Sequence, residues 1–153
     1  HPDELARLRA EPERVGAAVE ELARFEFPTK FVTRYPLEPI EVAGTRIAEG
    51  QLVFGALGAA GRDPRAFHDP DRLDFSRPLG PVLSFGAGAH FCLGAALARA
   101  EARAMIGRLV ARFPELAVAQ EPTFSPHFNI RRMTSFRLER GASIEASRKR
   151  SAQ

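Results

Sequence analysis

With 153 residues, 44% of them hydrophobic, the chain is long enough for one domain with a core and too apolar for a disordered segment. The net charge is only +3, and 20 of the 22 basic residues are arginines spread along the chain without interleaved base-stacking aromatics, which argues against nucleic-acid binding. A single cysteine excludes an internal disulfide and a multi-cysteine zinc or iron–sulfur site and fits a reducing, cytoplasmic setting. Neither a signal-peptide layout nor an apolar run of roughly 18 residues is found, so no membrane association is expected.

Residues 3–9, within HPDELARLRAEPE, read as a short helix interrupted by Pro12; the chain opens as if inside something helical, as a piece of a longer protein would. From Pro12 to about Glu26, the residues Val15, Ala18, Val19, Leu22 and Ala23 share one helical face, and Pro28 stops it. The stretch IEVAGTRIAEGQLVFGAL holds three short extended runs, 39–42, 45–48 and 51–57, separated by Ala-Gly and Glu-Gly, and predicts a small β-meander. Between Gly58 and Pro81 the chain is too polar for a core strand and too rich in prolines for a helix. It is expected to be a long ordered coil, a form that compact domains keep mainly for function.

A long helix is predicted over 93–113, about 30 Å at 1.5 Å per residue. Ala98, Ala102, Met105, Ile106, Leu109, Val110 and Phe113 form one face. Leu93, Ala95, Ala96, Leu97 and Ala100 make its first half apolar all round, which predicts burial on every side. Strands are expected at 116–119, 127–131 and 134–138, and residues 141–153 form a basic tail expected to be disordered. The pattern is mixed α+β and mainly helical.

The cysteine lies in SFGAGAHFCLGAALA, residues 84–98, at the start of that helix. A lone cysteine among apolar residues is commonly an inert core residue. Here Gly86, Gly88 and Gly94 flank it, so something broad and flat can approach the backbone, and the helix N-terminus favours the thiolate. Three chemistries are open to such a loop. A dinucleotide site needs G-x-G-x-x-G, and counting from Gly86 the last position is Phe91. A cysteine nucleophile needs an imidazole within reach; His90 is badly placed two residues away, and His68 and His127 lie in no supporting motif. A haem iron needs one axial thiolate, a packing aromatic and small residues beneath the porphyrin, and this uses every feature of the stretch.

Phe85, Gly88, Cys92 and Gly94 match F-x-x-G-x-x-x-C-x-G, and the chain resembles the haem-thiolate monooxygenases of the cytochrome P450 family. Glu21 and Arg24 match the family's E-x-x-R helix, and PDRL at 70–73 is similar to the P-x-R-F element that follows it. The resemblance runs from about His1 to Arg140 and implies the C-terminal, proximal part of that fold: small sheet, meander coil, cysteine loop and the helix behind the haem. It implies haem b as cofactor, Cys92 as axial ligand, and Phe85, Gly86, Gly88 and Gly94 against the haem. Arg34 and His90 would meet its propionates, and Glu21, Arg24 and Arg72 would form a buried cluster. Phe31, Val32 and Met133 are implied substrate contacts. The implied reaction inserts one oxygen atom from O2 into a small apolar organic substrate, with electrons from a ferredoxin or flavoprotein reductase. The family's distal acid–alcohol pair is not found in these 153 residues, so this piece alone is expected to be inactive, with the helices that cover 93–113 lying elsewhere in the fold. A non-catalytic haem-binding remnant or module is the alternative, and an unrelated domain with a fortuitous cysteine loop is a third reading.

Overall fold

The structure is a computed structural model that describes residues 1–78, 80 and 82–140; the basic tail at 141–153 lies outside them. Helix α1 (Pro2–Ala10) starts with proline and two acidic residues, Asp3 and Glu4, in its first turn, and ends with Arg7 and Arg9 in its last, an order that suits the helix dipole. A 3-10 turn at Pro12–Arg14 leads into α2 (Val15–Phe25). The long helix α4 (Ala95–Arg112) packs on α2 and α1. Between these helices, Leu8, Ala18, Leu73 and Phe75 form the buried core, with Val15, Leu22, Phe25, Ile106 and Val110 packed against it. The apolar face read for α2 is therefore the face that closes the core.

Three antiparallel pairs supply the β-structure: β1 (Val32–Arg34) with β4 (Val53–Gly55), β2 (Ile40–Val42) with β3 (Thr45–Ile47), and β5 (Leu116–Phe124) with β6 (Met133–Arg140). Ala43 and Gly44, at φ of 50° and 78°, make the two-residue turn between β2 and β3, whose twist suits a hairpin. The expected three-stranded meander does not form. After the hairpin the Gly50 N–H bonds back to the Pro36 carbonyl, which returns the chain to the hairpin's beginning and lays β4 beside β1. Likewise 127–131 is not a strand: His127 Nδ1 accepts the N–H groups of Asn129 and Ile130, and a single bridge from Ile130 to Thr29 is all the pairing that remains.

Helix α4, read as apolar all round in its first half, is covered on one side only within this chain. Among its residues only Ala95 is buried, while Leu97 and Met105 are exposed, as is Leu93 just before it. One side of the helix meets α1 and α2, and the opposite apolar side faces outward. Helical periodicity reports which residues prefer to leave water but not whether a partner is present to take them.

Residues Leu57–Ala60 form a short helix, α3, where extended chain and coil are expected, and the coil after it buries Phe67, Leu73 and Phe75. Gly61 sits where the coil crosses α2, and a β-carbon there would come within 2.5 Å of the Arg24 carbonyl oxygen. Main chain against main chain leaves no side chain to swing aside. Gly61→Ala is therefore expected to lower unfolding free energy by about 1–3 kcal/mol, read from urea denaturation, in the range of other overpacked sites. An unchanged urea midpoint would show that the coil shifts freely.

Candidate functional site

One buried charged centre on α2 explains why so polar a coil is fixed. Glu21 and Arg24 lie three residues apart on α2 and are 1% and 2% exposed. Arg24 grips Glu21 through two parallel bonds, Nε to Oε2 at 2.7 Å and Nη2 to Oε1 at 2.8 Å. Its remaining N–H groups donate to the main-chain carbonyls of Gly61, Pro70 and Arg72, at 2.6, 2.8 and 3.2 Å, so all five donors are used. Glu21 Oε1 also accepts from the Asp74 N–H at 3.0 Å and from Arg77 Nε at 3.1 Å. Arg77 in turn donates to the carbonyls of His68, Asp69 and Arg72. The second arginine of the cluster is thus Arg77 and not Arg72. Arg72 is exposed and contributes only its carbonyl oxygen, because the turn that places that oxygen over Arg24 and Arg77 directs the side chain to the surface.

The cysteine loop is tied to the same helix. Ser84 Oγ donates to the Ala23 carbonyl at 2.6 Å, and the Phe85 ring packs edge-on against Phe27, with centroids 5.1 Å apart. The Arg99 guanidinium lies 4.3 Å from the Phe85 ring centre and is held there by Glu20 through bonds of 2.5 and 2.9 Å. Glu20 foremost, with Cys92 adding to it, keeps Arg99 charged to even higher pH than a free guanidinium. The backbone then turns twice. Gly86 and Gly88 hold φ of 75° and 64°, a region closed to most side chains, and the Cys92 N–H closes the loop on the Phe85 carbonyl at 2.8 Å. Two residues later Gly94 caps α4 without a side-chain bond.

Cys92 is exposed, which removes the inert-core reading. It opens into a cavity of about 410 Å³ with apolar walls from Phe27, Val32 and Leu83, while Thr29, Ser84, Arg34 and His90 add polar side chains. Phe85 and Gly86 line the same space; Gly88 and Gly94 shape the loop around it, and a β-carbon on Gly94 would stand 3.9 Å from the Cys92 sulfur. Phe31 and Met133 lie elsewhere. Phe31 packs against Phe54 and Phe128, and Met133 lines a separate cavity beside Phe124 and Arg131. Strand alternation is the reason for the first: Val32 and Arg34 share the face toward the cavity, and Phe31, one residue earlier, belongs to the other.

The donor set tests what the cavity can hold. Among the described residues no group of three or more His, Cys, Asp or Glu side chains is placed to bind a bare metal ion. An ion held by Cys92 must bring its other ligands with it, as an iron macrocycle does. Apolar walls suit a flat ring, and Arg34 with His90 suits a pair of carboxylates. No imidazole hydrogen-bonds the sulfur among the described residues, so the nucleophile reading has no base. The residues present fit a haem.

Sequence reasoning missed Arg77, Arg99 and Phe27. Arg77 is 56 residues from Glu21 and Arg99 is 79 residues from Glu20, so neither pair has a local spacing to reveal it.

Comparison with known proteins points the same way. The family described as Cytochrome P450 matches residues 13–133. The biotin biosynthesis cytochrome P450 of Bacillus subtilis is 45% identical over 132 residues, which are 86% of this chain and 33% of that protein. The 6-deoxyerythronolide B hydroxylase of Saccharopolyspora erythraea is 42% identical over 118 residues, 77% of this chain and 29% of its own. Among solved structures, P450BioI in complex with hexadec-9Z-enoic acid ligated acyl carrier protein superposes with a TM-score of 0.89 at 42% identity, covering 92% of this chain and 37% of that one. The chain spans about a third of the length of the curated relatives it matches. No helix among the described residues is long and apolar enough to cross a membrane.

Proposed function

This chain belongs to the cytochrome P450 family, and from that premise we propose that it is the haem-thiolate part of a monooxygenase, with Cys92 as the axial ligand of one haem b. The observation that carries the reading is the exposed Cys92 thiol at the head of α4, in a cavity that Arg34 and His90 also line. When bound, the haem supplies an iron to which a thiolate gives electron density, favouring O–O cleavage. In the whole enzyme one oxygen atom enters a small apolar organic substrate and the other leaves as water, with two protons from solvent and two electrons from a cytoplasmic ferredoxin or flavoprotein reductase.

This chain's residues have separate tasks in that reading. Cys92 presents its sulfur at the head of α4, with the Arg99 guanidinium nearby. Arg34 and His90 would hold the two propionates, and Val32 with Phe27 would exclude water along the wall. The Glu21–Arg24–Arg77 centre holds the coil against α2 beneath the loop and does no chemistry.

The test is the reduced carbon-monoxide spectrum of the full-length chain. One haem per chain and the red-shifted Soret band of thiolate ligation are expected. An unshifted band, or no haem, would overturn the reading. Oxidation of substrate by these 153 residues alone at the full-length rate would overturn their assignment as one part of a larger catalytic fold.

A further inference from the structure

The segment that enters β1 is held by one loop. The Asn129 main-chain carbonyl accepts the Lys30 N–H at 2.9 Å, and its side-chain Oδ1 accepts the next N–H, that of Phe31, at 3.2 Å. The Arg131 N–H donates to the Pro28 carbonyl at 2.8 Å, and Arg131 pairs with Glu26. Phe128 stacks edge-on against Phe31, with centroids 4.9 Å apart. The loop keeps its own shape through His127, whose Nδ1 accepts from the Asn129 and Ile130 N–H groups at 3.3 and 3.1 Å.

What this loop grips leads straight into the cavity wall. Val32 and Arg34 follow Phe31 directly, and both line the cavity that holds Cys92. On its other edge β1 has only a three-residue ladder to β4. So short a strand has little stiffness of its own, and its height over the cavity depends on what holds its first end.

We propose that Asn129 is a positioning residue: by accepting the Phe31 N–H it sets where β1 presents Val32 and Arg34 to the Cys92 cavity, and so which ligands that wall admits. The proposal rests on the haem-thiolate reading for its ligand, but the hold on Phe31 does not. The side-chain oxygen is the working atom. Asn129→Asp keeps it, and Asn129→Ala removes it while leaving the main-chain bond to Lys30.

Two measurements on the full-length protein, with both variants, test this. The first is amide hydrogen exchange at Phe31. The second is spectral titration with imidazole and with 4-phenylimidazole, which share an iron-binding nitrogen and differ by a ring that must fit the wall. For Asn129→Ala, Phe31 protection is expected to fall about tenfold and the Kd of 4-phenylimidazole to rise about tenfold, the usual worth of one hydrogen bond. Imidazole should stay within about twofold, and Asn129→Asp should match the native protein in every reading. Unchanged Phe31 protection overturns the proposal. So does an equal loss for both azoles, which a general weakening of the fold would give, and so does an Asp variant that behaves like Ala. A protein that binds no haem overturns the proposed function instead, and amide exchange then decides Asn129 by itself.

Discussion

Cys92→Ser is expected to give a protein that folds as before and whose reduced carbon-monoxide complex lacks the red-shifted Soret band. The loop does not depend on the sulfur: it is closed by main-chain bonds, from the Cys92 N–H to the Phe85 carbonyl and from the Ala95 N–H to the Cys92 carbonyl. The side chain is exposed, so unfolding free energy should change by no more than about 0.5 kcal/mol. A serine hydroxyl is not ionised at neutral pH even with Arg99 and the α4 terminus nearby, and it offers the iron a far weaker donor. Haem content should fall severalfold with no change in the melting curve of the haem-free protein. Retention of the shifted band by Cys92→Ser would falsify the ligand assignment.

Glu21→Ala is expected to do the reverse and strike the fold first. It leaves Arg24 and Arg77 as buried or nearly buried guanidinium groups without a carboxylate, at side-chain exposures of 0% and 9%. Breaking a buried pair from one side costs about 3–5 kcal/mol, a large share of an ordinary domain's stability of about 5–15 kcal/mol. The damage spreads along the coil, because the carbonyls of Gly61, His68, Asp69, Pro70 and Arg72 are all held by those two arginines. Urea unfolding of Glu21→Ala and the isosteric Glu21→Gln checks this; a loss under about 0.5 kcal/mol for both would return the cluster to the status of a surface ion pair.

The same carboxylate predicts a pH dependence. Burial pushes Glu21 up, but the Arg24 fork, the Asp74 N–H and Arg77 together outweigh it and hold it below the ordinary carboxylate range. A group depressed in the folded state contributes stability in full above its unfolded value, about 4.3 for glutamate, and loses it as pH falls through the folded value. The stability gap between the native protein and Glu21→Gln should therefore be constant from pH 7 to about 5 and narrow below about 4.3.

Local rules in the sequence were enough for α1, α2 and α4, though not for the short α3. Proline and acidic residues at the start of α1 act within one turn, the apolar face of α2 repeats at the helical period, and the spacing of Phe85, Gly88, Cys92 and Gly94 is contained in ten residues. Glu21 and Arg24 were legible for the same reason, standing three residues apart on one helix.

Tertiary structure alone decided the rest. Whether β4 pairs with β3 or with β1 depends on where Gly50 sends the chain, and whether 127–131 is a strand depends on an imidazole taking its N–H groups. Arg77 rather than Arg72 reaches Glu21 because a turn inverts the two, and Val32 but not Phe31 faces Cys92 because a strand that short has only the sides its partner assigns. These are choices between positions one to five residues apart in sequence but opposite in direction. For the two side-chain choices, composition and periodicity are the same for both members, and only contacts more than twenty residues away along the chain separate their energies.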